Sequence, residues 1–180
     1  MNSGSISQHW YRRGQLFSRH LPDTVRSWLF DASSLTARLI RYSAGDFHVE
    51  LLSQEIRRPT LDEARALNIA SSRVALIRQV YLCCGGKVVV YARTVIPLST
   101  LSGAERSYGN LGARPLGAML FSDRSMQREE VMVTQLKAEN ALYEKTGAQG
   151  EPVWGRRSVF KVGGKPLLVS EYYLPTLFSR

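Results

Sequence analysis

Two arginines and one glutamate lie inside apolar stretches whose composition is typical of β-strands. Arg78 lies in V-A-L-I-R-Q-V-Y-L, Arg93 in V-V-V-Y-A-R-T-V-I and Glu171 in P-L-L-V-S-E-Y-Y-L. A charge that is buried without a partner costs several kcal/mol, so each side chain is expected to be paired or to bind a ligand. A planar guanidinium group makes a two-point contact with a carboxylate. These residue types therefore suit a small organic molecule that carries carboxylates.

Two strands joined by Gly85-Gly86 are expected to position Arg78 and Arg93, because Gly-Gly between β-like runs is typical of a hairpin. If the glycines form a two-residue turn, Cys84 pairs with Lys87 and Arg78 lies directly opposite Arg93. Two like charges would then meet on an apolar face, which is unfavourable unless an anion lies between them. Two alternatives remain open: this face is exposed to solvent at that level, or a β-bulge shifts the register.

A second hairpin is predicted around Gly163-Gly164, in W-G-R-R-S-V-F-K-V-G-G-K-P-L-L-V-S-E-Y-Y-L-P. A two-residue turn places Arg156 opposite Glu171, on a face that is otherwise apolar. From the residues alone, a structural cross-strand ion pair is the favoured interpretation of these two charges, and a chemical role is the alternative. Arg157 points to the other face and is expected to be solvated.

The remaining chain predicts an arm and a single domain. Residues 1–22 are polar with scattered aromatic side chains and are expected to pack only in part, whereas residues 23–180 suit one α+β domain. This domain is predicted to contain a single antiparallel sheet with short helices. Helices are predicted near Asp23, Ser34 and Thr60, strands over residues 47–57 and about 126–134, and a polar excursion over residues 135–150.

Composition limits the function classes. The chain of 180 residues has a formal net charge of +9 and a pI near 9.9. Its basic residues are scattered and form no helical stripe, so the charge suits an anionic small substrate as well as a nucleic acid. The two cysteines are adjacent, which favours reduced thiols in a cytoplasmic protein. Neither a signal peptide nor an apolar run long enough for stable membrane insertion is visible.

The sequence lacks the motifs that are typical of metal, serine-nucleophile and nucleotide chemistry. The three histidines (His9, His20 and His48) have no metal-ligand spacing, and the serines form no G-x-S-x-G elbow. No glycine-rich phosphate loop opens a helix after a strand. We therefore expect neither a metal nor a cofactor.

Four blocks of this sequence resemble bacterial chorismate lyase. They are R-T-V-I-P-L-S-T-L-S-G (Arg93–Gly103), R-P-L-G (Arg114–Gly117), W-G-R-R-S (Trp154–Ser158) and G-K-P-L-L-V-S-E-Y-Y-L-P (Gly164–Pro175). Their order and spacing agree with that family from about residue 28 to residue 175. The sequence departs from the family in the N-terminal arm and in residues 135–150, where the link is longer than usual.

The resemblance implies a fold and a set of site residues. The family has an antiparallel sheet with helices on one side and an internal site covered by flaps. It implies that Arg78 binds the ring carboxylate and that Glu171 meets the hydroxyl of the aromatic product. Leu116 and, with a change from the family's usual Met, Leu35 match flap positions whose backbone amides help to hold the carboxylate. Arg93, as the contact of the second carboxylate, and Arg156, as the partner of Glu171, follow from the predicted register instead.

The implied reaction converts chorismate to 4-hydroxybenzoate and pyruvate, the first committed step of ubiquinone biosynthesis. It needs no cofactor, because the ring becomes aromatic and a proton can move within the substrate. A buried product should leave slowly and inhibit the enzyme, and a monomer is expected. One alternative is an effector-binding domain of the same fold, as in some transcription regulators, that senses a small molecule without converting it. A nucleic-acid binder attracted by the +9 charge is a further alternative.

Overall fold

The fold was analysed in a computed structural model, which describes residues 8–16 and 21–179. One antiparallel sheet contains the eight strands of these residues, so the predicted α+β class is confirmed. The strands are β1 (Tyr11–Arg12), β2 (Phe47–Arg57), β3 (Ala75–Cys84), β4 (Lys87–Pro97), β5 (Gln127–Arg128), β6 (Met132–Leu136), β7 (Val153–Val162) and β8 (Lys165–Tyr173). Their order is β1-β6-β7-β8-β4-β3-β2, and β5 pairs with β7 beside this path.

Within the described part of the chain, five short α-helices cover the sheet. They are α1 (Asp23–Leu29), α2 (Leu35–Tyr42), α3 (Leu61–Ala66), α4 (Leu116–Ser122) and α5 (Tyr143–Thr146); 3-10 turns lie at Arg13–Gln15, Gly103–Asn110 and Pro175–Leu177. We call the sheet face that carries Arg78, Arg156 and Glu171 the front face, and the opposite one the back face. Helices α1, α2 and α4 pack on the front face, as expected, while the shorter α3 and α5 contribute to the back.

Local sequence explains where several elements begin. The Ser34 side chain accepts a hydrogen bond from the Ala37 amide and so caps α2. Thr60 and Glu63 form a reciprocal capping box at the start of α3. The predicted strand over residues 47–57 matches the bounds of β2. The stretch predicted as one strand over residues 126–134 is instead divided into β5 and β6.

The predicted register of the second hairpin is confirmed. Gly163 and Gly164 both have positive φ, at 55° and 76°, which is the conformation of the turns that join tight hairpins. Arg156 lies opposite Glu171 in the β7–β8 ladder. The two side chains therefore point to the same face, as the sequence indicates.

The predicted register of the first hairpin is wrong. Its turn is as expected, with φ of 57° and 71° at Gly85 and Gly86, but the ladder shifts by one residue beyond Cys83. Val89 is the extra residue of a β-bulge, which puts Arg78 opposite Thr94 and Gln79 opposite Arg93. Because side chains alternate along a strand, Arg93 points to the back face, away from Arg78.

Packing explains this bulge. Val89 and Val90 both lie in the front-face core, which also contains Trp28 and Leu39 from the helices above. The Val89 carbonyl accepts a hydrogen bond of 3.0 Å from the amide of Leu174, just beyond β8. The bulge therefore buries two consecutive valines and gives the irregular carbonyl a donor.

Part of the predicted N-terminal arm belongs to the sheet. Strand β1 pairs with β6, and Leu16 and Leu21 are buried. Residues 1–7 and 17–20 of the predicted arm and Arg180 of the predicted domain lie outside the described residues. The predicted excursion begins in β6 and contains α5, whose Tyr143 joins a back-face core. No helix in residues 8–16 and 21–179 has the length and apolar composition needed to cross a lipid bilayer.

Candidate active site

A cavity lies between the front face and the N-terminal ends of α2 and α4. Its empty space, together with the solvent at its opening, amounts to about 570 Å³. The lining is mostly apolar and includes all the predicted site residues except Arg93. Its members are Leu35, Thr36, Val49, Arg78, Val80, Leu82, Ala92, Thr94, Pro115, Leu116, Gly117, Leu120, Phe121, Arg128, Arg156, Phe160, Val169 and Glu171.

Two rows of front-face side chains lie beneath the cavity, each crossing strands β3, β4, β8 and β7 in turn, and all of them except Ser158 line it. The first row is Arg78, Thr94, Val169 and Ser158, and the second is Val80, Ala92, Glu171 and Arg156. Thr94 and Val169 in the middle of the first row and Ala92 in the second have small side chains. Space is therefore left above the centre of the sheet, with charged groups around it.

Arg78 is buried at the β3 end of the first row. Its Nε and Nη2 donate hydrogen bonds of 3.1 and 2.8 Å to the Gly112 carbonyl, and Nη2 also donates to the Arg114 carbonyl at 2.9 Å. Burial lowers the pKa of Arg78 to about 10, so the side chain stays charged at neutral pH. It forms no ion pair among the residues that the structure describes. Arg78 thus holds the segment before α4 while its charge remains available to an anion.

Glu171 lies in the second row, beside Arg156. The Arg156 Nε lies 2.5 Å from a Glu171 carboxylate oxygen, and Arg156 is fully buried while Glu171 is slightly exposed to the cavity. Burial alone would lower the pKa of Arg156, but the charge of Glu171 more than offsets this and the pKa is raised. The ion pair therefore fixes a carboxylate at the floor of the cavity.

Arg156 also organises the end of α1. Its Nη1 donates to the carbonyl oxygens of Trp28, Leu29 and Asp31, at 3.1, 3.4 and 2.8 Å. The last carbonyls of a helix lack partners within the helix, so a buried guanidinium there satisfies them. Arg156 lines the cavity, but most of its donors are used within the protein.

Leu35 and Leu116 are the first residues of α2 and α4. The amides of a helix's first turn have no acceptor within the helix, and the helix dipole makes that end partly positive. The two starts approach closely at Gly117, where a Cβ atom would lie 2.6 Å from Thr36 Oγ1. Gly117 of the R-P-L-G block therefore lets the N-termini of α2 and α4 lie close together over one end of the cavity.

Arg93 lies outside this site. On the back face its Nε and Nη2 contact the two oxygens of Glu63 at 2.6 and 3.0 Å. The meeting of Arg93 with Arg78 that the sequence predicted does not occur. Arg157, also on the back face, is buried rather than solvated, and it pairs with Asp62 over the Trp10 ring.

Arg128 is a cavity residue that sequence reasoning missed. Strand β5 pairs with β7 and places Arg128 opposite Phe160. The run M-Q-R-E-E indicates an exposed edge when it is read alone, and no local signal separates Arg128 from the charges beside it. Only the pairing of β5 with β7 brings it to the cavity.

A protein-family model described as chorismate lyase matches residues 7–180. A probable chorismate pyruvate-lyase from Methylococcus capsulatus is 40% identical over 158 residues, which cover 86% of this chain and 97% of that protein. One from Aromatoleum aromaticum is 37% identical over 179 residues, covering 96% and 95%.

Solved structures with a similar fold have low sequence identity. The C-terminal domain of histidine utilization repressor from Pseudomonas syringae pv. tomato has a TM-score of 0.59 at 12% identity, over 74% of this chain and 94% of that chain. The ligand-binding domain of a putative GntR-family transcriptional regulator from Bordetella bronchiseptica has a TM-score of 0.54 at 16% identity, over 73% and 86%. At these identities the likeness shows the fold alone.

Proposed function

The chain belongs to the chorismate lyase family, and on that premise we propose that it eliminates pyruvate from chorismate to leave 4-hydroxybenzoate, without a cofactor. This reaction would supply the first committed step of ubiquinone biosynthesis. The observation that carries the proposal is the cavity itself. At one side it has a buried arginine, Arg78, which has no ion-pair partner within residues 8–16 and 21–179, and in its floor a fixed carboxylate, Glu171.

The two groups match the two ends of the aromatic product. Arg78, with the first-turn amides near Leu35 and Leu116, would bind the ring carboxylate. Glu171 would accept a hydrogen bond from the hydroxyl at the opposite end of the ring, with Arg156 holding its position. The apolar lining would contact the ring between them. These contacts hold the substrate as well as the product, so product inhibition is expected.

The reaction can proceed within the bound substrate. The C4–H bond breaks and its electrons form the new ring double bond, while the C3–O ether bond breaks and becomes the carbonyl of pyruvate. The same proton passes to the methylene carbon of the side chain through a six-membered cyclic arrangement, so atoms and charges balance. The protein then needs to hold the side chain over the ring and stabilise charge that develops on the ether oxygen.

Incubation with chorismate and a chelator, but no nucleotide, tests the proposal. We expect 4-hydroxybenzoate and pyruvate to appear in equal amounts, and the rate to fall as product accumulates because the enclosed cavity delays release. The production of both compounds is followed by absorbance and by a pyruvate assay. Binding of chorismate without conversion would contradict the lyase proposal and favour a sensor, in line with the Bordetella bronchiseptica protein, which is described as the ligand-binding domain of a transcriptional regulator.

A further inference from the structure

We propose that Arg128 forms a second carboxylate-binding subsite, which holds the side-chain carboxylate of the substrate and is not used by the aromatic product. The inference rests on the proposed function and adds a residue to the same cavity. It concerns the recognition of a dicarboxylate as distinct from a monocarboxylate.

The first support is that the Arg128 guanidinium has hydrogen-bond donors that are not used within the described residues. Its Nε donates to Ser158 Oγ at 3.0 Å and its Nη1 to the Asp31 carbonyl at 3.3 Å, while its carbon lies 5.3 Å from the centre of the Phe160 ring. These contacts orient the group. In the described part of the chain, Nη2 has no hydrogen-bond partner and Arg128 forms no ion pair. One edge of the guanidinium is therefore available to an anion.

The second support is position. Ser158, which orients Arg128, ends the row of the cavity floor that begins at Arg78. Three strand spacings separate those ends, or about 14 Å between backbones, and both long side chains line the same cavity. Only Thr94 and Val169 lie between them in that row. The two cations thus flank one space from opposite sides, as two carboxylates of one ligand require.

The third support is charge. The cavity lining contains three arginines and one glutamate, so its formal charge is +2. Arg156 is already paired with Glu171, and no carboxylate of the described residues forms an ion pair with Arg78 or Arg128. Burial and the nearby charge of Arg156 lower the pKa of Arg128, which means that an anion at this place would relieve an unfavourable environment. A ligand with two carboxylates would neutralise the cavity.

Arg128 would therefore distinguish substrate from product. Before the ether bond breaks, the side-chain carboxylate is tied to the ring and contacts Arg128 while the ring carboxylate contacts Arg78. After the bond breaks, that carboxylate belongs to pyruvate and can leave independently. The aromatic product retains its contacts with Arg78 and Glu171 but has no carboxylate for Arg128.

Binding of two stable ligands tests this proposal separately from turnover. The probes are 4-hydroxybenzoate, with one carboxylate, and 3-(carboxymethoxy)-4-hydroxybenzoate, with an additional ether-linked carboxylate at the ring position that carries the side chain in chorismate, each titrated calorimetrically. We expect Arg128→Met to raise the Kd of the dicarboxylate about tenfold to a hundredfold, because one charge-assisted contact is lost. The Kd of 4-hydroxybenzoate should stay unchanged. Equal weakening of both ligands, or no weakening of the dicarboxylate, would overturn the proposal.

Matched variants separate this subsite from general damage. Arg78→Met should weaken both ligands, and Arg128→Lys should restore part of the dicarboxylate binding because it keeps the charge. Ser158→Ala removes the contact that orients Arg128 and serves as the second test if Arg128→Met does not fold. It should weaken the dicarboxylate selectively, and unchanged dicarboxylate binding in a folded Ser158→Ala protein would count against the subsite. If the wild-type protein shows the Arg128-dependent preference but leaves chorismate intact, the proposed function fails while the subsite stands.

Discussion

The two Gly-Gly hairpins have almost the same sequence plan and opposite outcomes for their charges. In the β7–β8 hairpin the ladder is regular, and Arg156 meets Glu171 on the front face. In the β3–β4 hairpin one extra residue, Val89, turns Arg93 to the back face, where it pairs with Glu63. The first hairpin therefore contributes Arg78 alone to the cavity.

The difference shows how much depends on a single residue in a sheet. A one-residue change in register moves every later side chain to the other face. The bulge thus separates two arginines that would otherwise repel one another, and it provides each with a different role. Arg93 stabilises the back of the sheet, and Arg78 keeps an uncompensated charge towards the cavity.

Deleting one residue from each hairpin should give the largest difference in stability between the two hairpins. Deleting Leu167 shifts β8 by one residue against both neighbours and moves Glu171 to the back face, so we expect no cooperative unfolding transition. Deleting Val89 removes only the bulge, because Val90 already pairs with Leu82. This variant should fold and lose about 1.5–3 kcal/mol, the contribution of a buried valine, in urea unfolding. If both deletion variants lose the cooperative unfolding transition, the bulge itself is required for folding.

Substitutions of Glu171, which pairs with Arg156, and of Glu63, which pairs with Arg93, should differ strongly in their effect on catalysis. Glu171→Gln is expected to lower kcat about a hundredfold to a thousandfold, because it removes a charge fixed at the reacting ring. The measurement is the initial rate of 4-hydroxybenzoate formation. Glu63→Gln is the matched control on the back face and should leave kcat unchanged. A normal kcat in Glu171→Gln would mean that the carboxylate charge is dispensable.

Substitutions of Arg78 and Arg93, the two arginines of the β3–β4 hairpin, should affect substrate binding and stability separately. Arg78→Met is expected to raise KM for chorismate about tenfold to a hundredfold, since a contact between charged groups is lost. Arg93→Met should leave KM unchanged but lower the free energy of unfolding by about 3–5 kcal/mol, because Glu63 stays buried without its partner. Steady-state kinetics and urea unfolding measure the two quantities. A raised KM in Arg93→Met would contradict the conclusion that Arg93 lies outside the substrate site.

The back-face ion pair should also give a smaller effect that depends on pH. Burial would raise the pKa of Glu63, but the hydrogen bonds and charge of Arg93, with those of Thr60, lower it below 4.5. A lowered pKa in the folded protein stabilises the fold above the unfolded value and ceases to do so as the pH falls through the folded one. The stability difference between wild type and Arg93→Met should therefore narrow below pH 4.5.

Urea unfolding at several pH values measures that narrowing, and a difference that stays constant with pH would contradict it. Arg57→Met is the control, because the pair of Arg57 with Glu55 is exposed to solvent. Its small effect should not change over the same range.

The sequence by itself determined the local features. Gly85-Gly86 and Gly163-Gly164 set the two turns, because adjacent glycines adopt positive φ without steric cost. Alternation along a regular ladder then placed Arg156 opposite Glu171, and β2 could be predicted from its pattern. The resemblance to chorismate lyase added Leu35 and Leu116, whose backbone amides carry no signal in their side chains.

Only the tertiary structure decided the features that depend on distant partners. The bulge at Val89 exists because helices α1 and α2 bury two consecutive valines, and the Leu174 amide is far away in sequence. Arg128 reaches the cavity because β5 pairs with β7, and Arg157 is buried because Asp62 and Trp10 meet it across the back face. Local propensity contains no information about such contacts, since their energy arises only when the chain has folded.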